Sequence, residues 1–150
     1  MTTRHLSPGI IAISIASFLI VTAACSADRA RERADCDIQV GPCVRMAGPG
    51  TEITFDIAPR PVRAMAEHLF TVSVRKDGKP VSGADVTLDL TMPGMVMGEN
   101  KPRLLPAGGG RYAGKGVIVR CPSGMKIWKA QVTVHANQGI ETASFIFEVI

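Results

Sequence analysis

The stretch "TMPGMVMGEN", residues 91 to 100, holds three of the chain's seven methionines, Met92, Met95 and Met97. Thioethers are soft, uncharged ligands that suit Cu(I) and do little for Mg, Ca or Mn. They carry no proton to lose, so they bind without the pH competition that weakens thiolates and imidazoles. Pro93 and Gly94 fit the two central places of a type II turn, which would bring Met92 and Met95 within about 7 Å at their α-carbons. Met95 and Met97 are two apart and point the same way in extended chain. All three sulfurs could therefore converge, or the same side chains could cap the end of a core as adaptable filler.

Four cysteines add thiol chemistry, at positions 25, 36, 43 and 121. Setting Cys25 aside leaves an odd number, which in an oxidising compartment means one disulfide and one leftover thiol, or a metal thiolate. Cys36 and Cys43 in "CDIQVGPC" lie close together among turn-forming residues and make the first choice for a small disulfide loop, leaving Cys121 free. The rival pairing joins Cys121 to one of the other two. A zinc site is poorly supported because the Cys36 to Cys43 spacing exceeds the usual two to four intervening residues. Without a Cys-x-x-Cys motif or alternating strands and helices, thioredoxin chemistry is equally unsupported.

The compartment follows from the first residues. A short polar start with Arg4 and His5 leads into "IIAISIASFLIV" (10 to 21) and then "TAAC". This is an export signal over residues 1 to 24, too short for a membrane-spanning helix of about 20 residues. Cys25 after two alanines resembles the lipobox of bacterial lipoproteins, which implies acylation at Cys25 and a membrane anchor. Thr22 stands where that motif prefers Leu, Val or Ile, so ordinary cleavage after Ala24 stays open. The expected location is the cell envelope, on the periplasmic or outer side of a bacterial membrane.

Once the signal is removed, 16 basic and 13 acidic side chains remain, a net charge of +3. No basic run with interleaved aromatics occurs, which excludes nucleic acid as the natural partner. Residues 25 to 50 are polar and turn-rich, and read as a disordered, lipid-anchored tether carrying the Cys36/Cys43 loop. From Thr51 onward, short stretches alternate apolar and polar residues between Gly, Pro and Asp signals. Seven strands are expected, at 51 to 58, 69 to 76, 84 to 90, 96 to 105, 111 to 120, 126 to 135 and 143 to 150. The fold class is all-β, an immunoglobulin-like antiparallel sandwich of two sheets over 51 to 150, with Trp128 as its central packing residue. "KDGKPVSGA" supplies an Asp-Gly reversal, "CPSGM" (121 to 125) a short hairpin, and "AGGGR" a flexible link.

If the strands alternate in direction, the connections after the first, third and fifth share one end of the sandwich. Those connections hold Met65 and His68, then Met92, Met95 and Met97, then Cys121 and Met125. The other end would carry neither sulfur nor histidine. His135, at the outward end of its strand, reads as a solvated surface residue.

"DGKPVSGADVTLDLTMPGMVMGEN", followed by "GGGRYAGKGVIV" and a tryptophan strand, resembles the YtkA-like domain family, small exported β-sandwich domains related to the FixH type. That resemblance implies a sandwich over about 51 to 150 and an exported or membrane-anchored setting, with some members near metal-handling or respiratory-oxidase functions. The Met-x-x-Met-x-Met spacing is similar to methionine-rich copper sites of exported copper carriers.

No nucleophile elbow, H-E-x-x-H or phosphate loop is present, so no catalytic residue is expected. Two functions fit. One is an envelope lipoprotein binding a soft ion, Cu(I) foremost, through Met92, Met95 and Met97 with Cys121, Met125 and His68 as further ligands, acting as carrier or buffer. The other is a non-enzymatic interaction module whose apolar end docks on an envelope membrane protein or respiratory complex.

Overall fold

The computed structural model describes residues 33–137 and 139–150. Nine strands form two antiparallel sheets: β1 (Cys43–Gly48), β2 (Thr51–Ala58), β3 (Glu67–Lys76), β4 (Lys79–Pro80), β5 (Asp85–Thr91), β6 (Leu105–Gly108), β7 (Arg111–Val117), β8 (Ile127–Ala136) and β9 (Gly139–Glu148). The larger sheet runs β1-β2-β3-β7-β6, with β4 paired to the end of β3, and the smaller runs β5-β8-β9.

Period-two alternation decides which side chains fill the space between the sheets. Ile53, Phe55 and Ile57 of β2, and Phe70, Val72 and Val74 of β3, share one buried core with Val86, Leu88 and Leu90 of β5. Burying each such side chain fully contributes roughly 1.5–3 kcal/mol. The aromatic centre is Phe55, whose ring lies 5.4 Å from Phe145, 5.9 Å from Phe147 and 6.5 Å from Phe70. Trp128 is buried as expected, but it begins β8 and lines a cleft at one end, so it closes the core rather than centring it.

The tether reading needs correcting from Asp35 onward, while residues 25 to 32 lie outside the described residues. Cys36 and Cys43 form the expected disulfide, with α-carbons 5.8 Å apart, and Cys121 is free. The amides of Asp35 and Cys36 donate to the Ile146 carbonyl, which ties this segment to the edge of β9. Ile38 is buried, and Gln39 clasps the Val62 backbone from both sides, accepting from its N–H at 2.8 Å and donating to its carbonyl at 3.1 Å. Beyond the loop, β1 adds an edge strand to the larger sheet.

Two other expectations shift. Residues 96 to 104 form no strand; the ladder there shrinks to Leu105–Gly108, between Pro102 and the β6–β7 turn. Prolines cannot donate to a ladder, and residues 101–104, with Pro102 among them, lie over β7 as coil before β6 begins. "CPSGM" is not a hairpin either, because β7 belongs to the larger sheet and β8 to the smaller, so this segment crosses between them. The Asp-Gly reversal holds: Asp77 and Gly78 both take positive φ, as a two-residue hairpin turn demands. Tyr112 then fixes the passage to the other sheet, donating to the Val81 carbonyl at 2.9 Å and accepting from the Ala84 amide at 3.0 Å.

Candidate functional site

Strand parity survives these shifts, since β6 still separates β5 from β7 and β1 precedes the count. The connections 59–66, 92–104 and 118–126 meet at one pole. There the Met65 amide donates to the Ile118 carbonyl at 2.8 Å, and the Ile150 amide to the Val62 carbonyl at 3.1 Å. The opposite pole holds a cleft of about 470 Å³ beside Lys76, whose ammonium joins the Pro49 carbonyl, Thr51 Oγ1 and Glu141 Oε1. None of the residues lining that cleft carries sulfur or imidazole.

The methionine turn forms as expected. The Met95 amide donates to the Met92 carbonyl at 3.1 Å, and Gly94 takes a φ of +74°, the left-handed place that a type II turn reserves for glycine. Its consequence for the three sulfurs differs from convergence. Met92 continues the inward row Val86, Leu88, Leu90 and is only 2% exposed, which makes it core. Met97 is half-buried and packs on the core cluster. Met95 is swung outward to 37% exposure, and its Sδ lies 3.5 Å from Cys121 Sγ.

Cys121 opens a turn closed by the Gly124 amide donating to its carbonyl at 3.0 Å. Only 6% exposed, the thiol faces Ser123 Oγ at 2.9 Å. Hydrogen bonding from that hydroxyl, joined by the amides of Ser123, Met125 and Gly124, holds the Cys121 thiol below its ordinary range, against the opposing effect of burial. The lowered thiol thus sits next to a thioether. Cys121 and Met125 both line a cleft of about 400 Å³ whose other walls include Trp128, Val119, Arg120 and Lys126.

His68 lies on the inward row of β3 and is 2% exposed. Its Nε2 is 2.8 Å from the Arg63 carbonyl, and its ring meets Phe70 edge-on. The Arg63 amide also points at Nε2, at 3.3 Å, so the role of Nε2 depends on the tautomer, and Nδ1 has no hydrogen-bond partner among the described residues. Metal-binding imidazoles are oriented by that kind of carbonyl bond, but here the ring is enclosed in the core.

Of the six ligand candidates, the structure therefore brings Cys121 and Met95 into contact and sets Met125 on the same cleft. It withdraws Met92, encloses His68, and packs Met97 partly against the core. Among the described residues no cluster of three His, Cys, Asp or Glu side chains forms. The residues that sequence reasoning missed are Ser123 and the turn amides behind it. Their signal was present in "CPSGM", a cysteine followed by a tight turn whose N–H groups point back at the sulfur. Met65 also went unweighed as a feature of the backbone: it is exposed and held at a φ of +64°, rare outside glycine.

Comparison with known families finds a match to the YtkA-like family over residues 49–120. It spans the methionine turn and stops one residue before Cys121, leaving the disulfide loop, β8 and β9 outside. No curated protein and no solved structure matches the chain.

Proposed function

From a chain whose residues 49–120 belong to the YtkA-like family, we propose an exported cell-envelope lipoprotein, acylated at Cys25, that carries or buffers Cu(I) at the pole where Met95 meets Cys121. The observation carrying this reading is the 3.5 Å approach of Cys121 Sγ and Met95 Sδ, with hydrogen bonds from Ser123 and the turn amides lowering the thiol below its ordinary range. A thiolate and a thioether together make a soft, singly charged donor pair matched to a monovalent soft ion. Met125, exposed on the same cleft as Cys121, would be a third soft donor. A site of two or three donors with an open side suits handover rather than permanent storage.

The test is a Cu(I) competition titration of residues 26 to 150 under anaerobic reducing conditions. The parent should bind one equivalent tightly, Cys121→Ser and Met95→Leu should lose it, and Met92→Leu should keep it. Equal binding in all four proteins, or none in the parent, refutes the reading.

A further inference from the structure

The sulfur pole has a second property, independent of metal. Of the large apolar side chains exposed among the described residues, Met65, Met95, Val96, Val119, Met125 and Ile150 all project there. They are contiguous. Val119, Met125 and Ile150 line one cleft with Ala64, Met65 follows Ala64, and Met95 touches Cys121 in the wall of the same cleft. Val96, next to Met95, is 104% exposed and touches nothing that shields it. All but Ile150, which follows β9, stand in the connections 59–66, 92–104 and 118–126, so the patch lies beyond the strand ends.

Charge accompanies it. Arg63, Arg120 and Lys126 are exposed at this pole, and none joins an ion pair among the described residues. Of the acids nearby, Glu99 pairs with Lys101 at 2.7 Å and Glu67 with Lys115 at 2.8 Å, while Glu148, exposed at the end of β9, joins no ion pair among the described residues, so the free cations outnumber it three to one. Projecting apolar tips flanked by unpaired cations are the combination that partitions into the interface of a negatively charged bilayer. A protein partner would call for a patch with its own satisfied polar groups and matched contours, whereas the isolated Val96 fits a deformable surface.

We propose that this pole docks directly on an anionic lipid surface, burying Val96 and the exposed methionines among the acyl chains while Arg63, Arg120 and Lys126 meet the headgroups. The docking needs no copper and no acyl anchor, and it would turn the Met95–Cys121 pair toward the membrane.

The experiment is sedimentation of residues 33–150, whose core is closed by their own side chains, with phosphatidylglycerol-rich or pure phosphatidylcholine vesicles in the presence of a Cu(I) chelator. Each cation contributes roughly fivefold in partitioning near an anionic surface, so Arg120→Gln/Lys126→Gln should weaken binding about 25-fold. Val96→Asp, at a site with nothing to repack, should weaken it at least about tenfold. Urea midpoints equal to the parent's confirm that both variants fold. Binding that prefers the anionic vesicles, falls with salt and falls in both variants supports the proposal. It is overturned if the parent stays in the supernatant with anionic vesicles, if either variant binds like the parent, or if the pole captures an envelope membrane protein while ignoring lipid. Because copper is chelated throughout, failure here leaves the metal reading to its own titration.

Discussion

The Pro-Gly turn divides methionines three residues apart between core and surface, and Met92→Ala against Met95→Ala measures that division. Met92 is 98% covered, and truncating a buried methionine costs about 2–5 kcal/mol through lost transfer energy and the cavity left behind. Taking about 3 kcal/mol and a urea dependence near 2 kcal/mol per molar, the unfolding midpoint should fall by roughly 1.5 M. Met95 is 37% exposed and its neighbours can relax, so its truncation should cost under about 1 kcal/mol and shift the midpoint by less than roughly 0.5 M. Trp128, the chain's one tryptophan and 1% exposed, reports both transitions by fluorescence. The copper titration should rank the same two variants in the opposite order. Equal destabilisation of the two, or a Met92→Ala protein that keeps its stability and loses copper, would refute the assignment of Met92 to the core.

Removing the Cys36–Cys43 link by double alanine substitution opens a loop of eight residues, for which chain entropy gives a loss of about 2.5 kcal/mol, readable as a lower urea midpoint. Gly114→Ala should cost more than about 2 kcal/mol, since a Cβ there would lie 2.0 Å from the Arg103 carbonyl oxygen, backbone that has to move; thermal unfolding checks it, and an unchanged melting temperature would contradict the packing of 102–104 over β7. For Cys121, a lowered pKa means more thiolate in the folded chain than in the unfolded one at any pH below the ordinary thiol range. Alkylation of the native protein should therefore reach half its limiting rate at a lower pH than a free thiol, and Ser123→Ala should move that midpoint up. The stability contributed by this ionisation is present above the unfolded pKa and is lost as pH falls through the folded one.

Most of the sandwich was legible because β2, β3, β5 and β8 each bury one face, so alternation in the sequence maps directly onto burial. β1 was not, because its apolar residues point the wrong way: Val44 and Met46 are exposed, while Cys43 and Ala47 pack toward the core. An edge strand held by a disulfide and by Gln39 does not need the usual pattern, so the pattern gives no sign of it. The sulfur pole was legible from strand parity, which assigns an end but no depth. Depth at Met92 could have been read by carrying the two-residue period of Val86, Leu88 and Leu90 one step past Thr91. The Cys121–Met95 contact had no such signal, since it joins loops 26 residues apart that leave different sheets.

That last feature ties chemistry to motion. Met95 follows β5 in the smaller sheet and Cys121 follows β7 in the larger, so an ion gripped by both would act as a clasp across the mouth of the sandwich. Its grip and the closure of that mouth would be one linked equilibrium: whatever the ion adds to the closed form is withdrawn when the loops part. The dwell time of the cargo would then be set by how often two sheet ends breathe apart, and a partner could unload it by prying rather than by outcompeting the sulfurs.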